Sequence, residues 1–432
     1  MSHLDTNPSP SRTILLTARH ARLEVDGAPV DLLSYDGTLP GPAIELHEGE
    51  HVAFTLHNAL DVPTNLHLHG LHIPPSVDDP HRIVGPGETL TMEFVVPEGS
   101  AGTYWYHPHV HGTVTRQLFE GLAGALVVRG AVDRMLATAD EHVLVLQDMT
   151  IEDGRPAPHA PPEWLRGKEG EHVLVNGRVG PTLRSRTGLV RLRLINAGVA
   201  RYYRVAVPGQ VLHVIGHDGG FLAQSAATDE VLLAPGERVD LLLQVATARS
   251  LELVDLPYTR TATPVDGAPR TMAMLAIEGQ DGGAELPCEL APIAAIDDRE
   301  GPPDRVVTFG VRLEPAPQFL MDGKLWAHDR VDAVAAAGRT EIWEIVNDTR
   351  MDHPFHVHVW SFQVLSRNGV PEPYAAWRDV VNVRPGERVR IAIPFTDFEG
   401  DVPMHCHIAE HEDRGMMANL RVGAPSVRAG GT

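Results

Sequence analysis

Four His-x-His pairs stand out in the sequence: His67/His69 in NLHLHG, His107/His109 in YWYHPHVHG, His356/His358 in HPFHVHVW and His405/His407 in MHCHIAEH. Residues i and i+2 of a β-strand share one face, about 6.6 Å apart along the chain. Such a pair turns two imidazoles to the same side, which suits two metal ions a few ångströms apart, each taking one nitrogen. Imidazole is a ligand for copper, zinc, iron and nickel. A lone histidine is more often a core or surface residue, and one pair alone would be weak evidence. Eight of the 24 histidines in this arrangement point to a polynuclear site.

Cys406 lies between His405 and His407, so strand alternation aims it at a different site from its neighbours. His411 follows five residues on, Met416 ten residues on, and His353 opens the HPFHVH segment. Two imidazoles, one thiolate and a weak thioether make the donor set of an electron-transfer blue-copper centre. Coordination requires the thiolate, which the metal stabilises. Through the backbone, Cys406 is bonded directly to His405 and His407, a short path between two metal sites. The other cysteine, Cys288, has no such neighbours and reads as structural or incidental.

These residues need a scaffold, and the chain repeats one plan three times. A Pro-Gly-Glu turn precedes an alternating strand at Pro86-Gly87-Glu88, Pro235-Gly236-Glu237 and Pro385-Gly386-Glu387, the glycines standing 149 and 150 residues apart. A strand ending in asparagine recurs at Asn58, Asn196 and Asn347, and a tight turn at Asp36-Gly37, Asn176-Gly177 and Asp322-Gly323. Between these markers run short alternating segments such as HVAFTL, LTMEFVV, RLRLI and RVRIAI, bounded by Gly, Pro, Asn and Asp. They read as half-buried strands of antiparallel sandwiches. Helices are expected to be few, with a short one over 131–138. The Pro-rich 154–163 reads as a surface loop, and linkers are placed at about 130–140 and 279–304.

The expected architecture is all-β: three consecutive Greek-key β-sandwich domains over 1–130, 141–278 and 304–432. The histidine pairs fall in the first and third copies, with 298 residues from His107 to His405 against 299 from Gly87 to Gly386. The middle copy has YYRVAV around Tyr203 and no pair, so it reads as a spacer. Equivalent strands of the outer copies would then face each other and supply eight imidazoles.

Composition narrows the partners. Lys and Arg number 36 against 57 Asp and Glu, a net charge of −21, which argues against nucleic acid and anionic membrane. No apolar run approaches the roughly 20 residues of a membrane span. The start, MSHLDTNP, has neither a basic nor an apolar signal region. The expectation is a cytoplasmic protein, or a periplasmic or secreted one whose export signal was removed.

HLHG, HPHVHG, HPFHVH and HCHIAEHEDRGMM together resemble the four copper-binding signatures of the multicopper oxidases, the laccase and cuprous oxidase family. The resemblance spans the whole chain and implies three cupredoxin-like domains and four copper ions. It implies a type 1 copper on His353, Cys406 and His411 with Met416 axial, and a type 2 copper on His67 and His356. One type 3 copper would take His69, His107 and His407, and the other His109, His358 and His405. Donors would give up electrons one at a time at the type 1 site, and O2 would become water at the trinuclear cluster. The resemblance also implies a proton relay through Asp78 and Glu412, with Asp79 a close competitor to Asp78.

Outside this pattern, His72 and His111 read as supporting or substrate-facing residues. His47, His51 and His57 read as surface residues, and His213 and His217 as structural. Met417 should point away from the type 1 site. An axial Met suits easily oxidised donors, so the expectation is a laccase-like monomer acting on phenolic or similar one-electron donors. Met351 and Asp352 beside His353 keep a cuprous oxidase as the alternative, although the chain has only 11 Met and no Met-rich insertion. A ligand-binding or structural protein without turnover is the remote alternative, since none of the expected ligands is missing.

Overall fold

The computed structural model describes residues 10–261, 267–280, 286–287, 289–299 and 301–423. Cys288 lies outside them. The described chain is built from strands in three successive pairs of sheets. The first unit has two four-stranded sheets. The second has a six- and a five-stranded sheet, and the third a seven- and a five-stranded sheet. Each unit has the same crossover: Arg12–Val25 runs parallel to His51–Asn58, Asp140–Met149 to Leu189–Asn196, and Arg305–Arg312 to Arg339–Asn347. Parallel neighbours cannot be joined by a tight hairpin, so the chain crosses between sheets, as a Greek key does.

The three repeated markers have one structural job in every copy. Asn58, Asn196 and Asn347 are all fully buried. Each Nδ2 donates to two backbone carbonyls, those of Val62 and Val84, Arg201 and Leu233, and Met351 and Val383. Each Oδ1 accepts an N–H two residues on. In the Pro-Gly-Glu turns, Glu88, Glu237 and Glu387 accept the backbone N–H three residues earlier, at 2.8, 2.7 and 2.8 Å. Asp36, Asn176 and Asp322 hold φ near +50°, which Asn and Asp tolerate better than other side chains. Sequence periodicity here marks loop-closing polar residues, and the strands follow from them.

Glu237, like Glu387, is buried. Burial, with Asp218 nearby, raises its carboxyl to about 7. A carboxyl raised in the folded state favours folding while protonated, so its contribution is lost as pH rises from about 4.5 through 7. Glu237→Gln keeps an acceptor for the Ala234 N–H. It should stabilise the protein by roughly 1–3 kcal/mol at about pH 8 and change little near pH 4.5. Thermal unfolding at the two pH values checks this.

Among the described residues, four short helices interrupt the strands. Ala131–Met135 forms where a helix was expected. Val114–Phe119, Pro161–Arg166 and Ala409–Asp413 were not foreseen, being too short to show helical periodicity. The segment 154–163 is not simply a loop. It closes the ribbon of Ile151–Glu152 with Arg155–Pro156 and then enters Pro161–Arg166, whose proline start suits a first helical turn. The stretch 279–304 has no strand or helix among its described residues. Leu290 and Ile296 tie it to Ala223 of the second unit and Gln363 of the third.

Candidate metal centre

The first and third units meet on their histidine strands. His67–His69 pairs with Gly102–His107 in the first unit, and His353–Val357 with Gly400–Cys406 in the third. Across the junction, His67 stacks on His358 at 4.0 Å between ring centroids and His69 on His356 at 4.1 Å. Only His67/His69 lies wholly on a strand. In the other pairs the second histidine, His109, His358 or His407, falls just past a strand end. Val359, right after His358, has φ +69°, a strained value for a β-branched residue. The His72 Nδ1 holds its carbonyl at 2.8 Å.

All eight imidazoles are buried. His69 Nδ1 lies 3.4 Å from Nε2 of both His107 and His407. His405 Nε2 lies 3.1 Å from His109 Nε2 and 3.2 Å from His358 Nε2. His67 and His356 gather with His69 into a further group. Donors about 2.0–2.3 Å from one shared ion would stand roughly this far apart. Outer contacts choose which nitrogen faces inward: His67 Nδ1 donates to Asp78 at 2.7 Å, and His69 Nε2 to Asp379 at 2.9 Å. His107, His356 and His405 spend Nδ1 on the carbonyls of Pro108, Asp379 and Cys406. The Nε2 atoms of His67 and His356 are buried with no protein partner.

Burial drives His69, His107, His356 and His358 toward the neutral form, and His109 and His407 down to about 3. Neutral imidazoles whose lone pairs converge out of water fit a bound cation. The donor set is buried and all imidazole, which suits copper among the metals that imidazole binds.

On the far side of the same strands, His353 Nδ1 and His411 Nδ1 lie 3.5 and 3.6 Å from Cys406 Sγ, and 3.2 Å from each other. Strand spacing explains the split, because His353 and His356, three apart, face opposite ways. Burial pushes the Cys406 thiol well above its ordinary range, so a neighbouring cation is what would make it a thiolate. His411 rides on Ala409–Asp413, stacks on Phe319 at 3.8 Å and bonds the Leu165 carbonyl through Nε2 at 3.1 Å. His353 Nε2 bonds Thr349 Oγ1 at 2.9 Å. Met416 is fully buried beside this group, its carbonyl accepting the Cys406 N–H. Met417 instead lines a cavity of about 360 Å³ with His81, His109, His111 and Trp326.

The carboxylates separate cleanly. Asp78 is buried on His67, with its second oxygen unpartnered. Asp79 closes a local turn onto the His81 N–H. Glu412 sets Oε2 3.2 Å from His405 Nδ1 and Oε1 3.5 Å from His109 Nε2. Asp352 is buried, and one of its oxygens, Oδ2, accepts from both Tyr258 and Asn382 at 2.6 and 2.7 Å. His47 and His57 are exposed, while His51 is half-buried on Glu93. His217 packs on Tyr374. His111 stands against Trp326 at 4.0 Å, with a buried Nδ1.

Sequence reasoning missed Asp379, Arg238 and the Leu165 cap. None belongs to a histidine motif, and only the fold brings them to the rings.

Three family models described as multicopper oxidase match residues 17–132, 140–251 and 300–426. The chain is 30% identical over 411 residues to a multicopper oxidase of Staphylococcus aureus, covering 90% of this chain and 83% of that one. It is 29% identical to a laccase of Bacillus subtilis, with 94% and 92% covered. The solved structure of a Campylobacter jejuni multicopper oxidase, described as a metallo-oxidase, superposes with a TM-score of 0.86. That protein is 31% identical, with 95% of this chain and 91% of that chain covered.

Proposed function

This chain belongs to the multicopper oxidase family, copper oxidoreductases that use O2, and from that membership we propose a laccase-type activity on phenolic one-electron donors. The observation that carries the reading is the shared backbone of the two sites: Cys406, converging with His353 and His411, is flanked by His405 and His407 of the eight-imidazole cluster. Bound copper would supply one-electron chemistry at the first site and reduction of O2 to water at the second.

The proposal assigns four copper ions. Cys406, His353, His411 and Met416 would hold the type 1 ion, and His67 and His356 the type 2 ion. The type 3 ions would sit on His69, His107 and His407 and on His109, His358 and His405. The outer units, 1–130 and 304–432, supply all these donors, and 141–278 supplies none.

The remaining chemistry belongs to the chain. Asp78 keeps the His67 ring aimed and leaves its second oxygen free to pass a proton on. Glu412 places Oε1 3.5 Å from His109 Nε2, and against its burial His405 and His109 hold its carboxyl well below the usual range, so it would take up a proton and pass it on rather than store one. A buried site that makes water needs such acids within hydrogen-bond distance, directly or through water. Neither type 1 imidazole edge is open to solvent, since Leu165 and Thr349 cover them. A donor therefore meets the cover rather than the ligand, and transfer through it asks for closeness and a suitable potential more than for shape. That favours a broad range of small aromatic donors.

The Campylobacter neighbour is described as a metallo-oxidase and the Bacillus relative as a laccase, so the donor must be tested. Oxygen uptake by the copper-loaded protein should proceed with 2,6-dimethoxyphenol and need no added Cu(II). Uptake with Cu(I) alone would replace this reading with the cuprous one, and uptake with neither would sink both.

A further inference from the structure

We propose that the middle third of the chain is a working part of the cluster: Arg238 fixes Asp379, and Asp379 sets the aim of both His69 and His356. The inference rests on the copper reading above. The Asp379 carboxylate accepts the His69 Nε2–H at 2.9 Å, which leaves Nδ1 toward His107 and His407. The Asp379 carbonyl accepts the His356 Nδ1–H at 2.7 Å, which leaves Nε2 without a protein partner. One residue thus selects the inward nitrogen of two rings, and selects a different atom in each. A ring freed from such a contact can turn over or change tautomer and offer the wrong nitrogen.

Asp379 is 2% exposed, and a lone carboxylate there would be unfavourable without a partner. Arg238, 1% exposed, grips both of its oxygens, Nη1 to Oδ1 at 2.7 Å and Nη2 to Oδ2 at 2.6 Å. The rest of its fork is also spent: Nε on the Thr103 carbonyl at 3.1 Å, Nη1 on Gly236 and Nη2 on Asp218, both at 3.0 Å. All five guanidinium N–H donors are used, which a lysine could not reproduce. Thr103, Arg238 and Asp379 come from the three different units.

The repeat shows that this is special to the middle copy. Arg238 follows the Pro-Gly-Glu turn of copy two, whereas Thr89 and Arg388, at the same place in copies one and three, are exposed. A Cβ on Gly87 or Gly386 would meet nothing within 4 Å, but one on Gly236 would come 2.7 Å from the His407 ring. Gly70, directly after His69, has φ +85°, and a side chain there would overlap the Arg238 guanidinium and the Asp379 carboxylate. The ligand-free unit therefore presses one turn onto His407 and passes one side chain to the partner of His69.

The test uses the full-length protein loaded with copper, with Arg238→Gln, Asp379→Asn, Arg238→Lys and the control Arg388→Gln. Bound copper per chain is followed against increasing chelator, alongside the intense visible band expected of a thiolate–copper bond. Arg238→Gln and Asp379→Asn should keep that band yet release cluster copper at about 10–100-fold lower chelator, with a matching fall in oxygen uptake. Arg238→Lys should fall between them and wild type, and Arg388→Gln should match wild type. Wild-type copper retention in both Arg238→Gln and Asp379→Asn would overturn the proposal. So would loss of the band together with the cluster copper in all three site variants, which reports general unfolding. If Arg238→Gln does not fold, the nearly isosteric Asp379→Asn decides alone. Wild-type protein that takes up no copper would refute the proposed function instead.

Discussion

Cys406→Ser should abolish the intense visible absorption of the copper-loaded protein and nearly stop donor-driven oxygen uptake, while copper bound to the eight-histidine cluster should be retained. The reasoning starts from bond chemistry. Serine is close to cysteine in size but stays protonated and is a harder donor, so the soft thiolate that defines the site is lost. His353 and His411 keep their outer contacts to Thr349 and Leu165, and the cluster rings keep theirs to Asp78, Asp379 and the backbone. Nothing in the substitution reaches those contacts, because Cys406 faces away from His405 and His407. Donor-driven turnover should fall by more than about a hundredfold, beyond what losing a supporting contact usually costs. Metal analysis, the visible spectrum and oxygen uptake on one preparation check the three parts. Retention of turnover would mean that electrons reach the cluster without this residue, and the two-site reading would fail.

Much of this arrangement was legible in the sequence because its two periods are short and long extremes. The two-residue period of a strand puts His67 and His69 on one face, and the roughly 150-residue period of the repeat places their counterparts in the third unit. Together they imply a pseudo-two-fold relation between the outer units, and the rings obey it. His67 meets His358 as His356 meets His69, and His109 meets His405 as His407 meets His107. The invisible part lies between those scales. Ala409–Asp413 and Pro161–Arg166 are too short for helical periodicity, yet one carries His411 and the other caps it. Arg238 looks like an ordinary strand residue after a repeated turn, and its neighbour in space, Asp379, lies 141 residues on. A repeat tells which turns are equivalent but not which of them has been turned inward, so the middle unit read as a spacer.

Glu412→Gln should slow oxygen uptake by about 10²–10⁴-fold without changing copper content or the visible band, the loss expected when a positioned general acid is removed. Its carboxylate touches His405 Nδ1 and approaches His109 Nε2, but the His405 ring also bonds the Cys406 carbonyl, and Asn65 holds the His109 backbone N–H. The amide is nearly the same shape and can still accept from His405, so metal geometry should survive while proton delivery does not. Asp78→Asn is expected to behave differently, because among the described residues the hydrogen bond orienting the His67 ring is the 2.7 Å one to Asp78. It should weaken copper retention by about 10–100-fold as well as turnover. Asp79→Asn, which alters only a turn at His81, should leave both near wild type. The three variants separate aiming from proton supply: copper content reports the first, and the acid dependence of turnover at full copper occupancy reports the second. Equal copper loss in Glu412→Gln and Asp78→Asn would show that Glu412 holds the rings in place and supplies no proton.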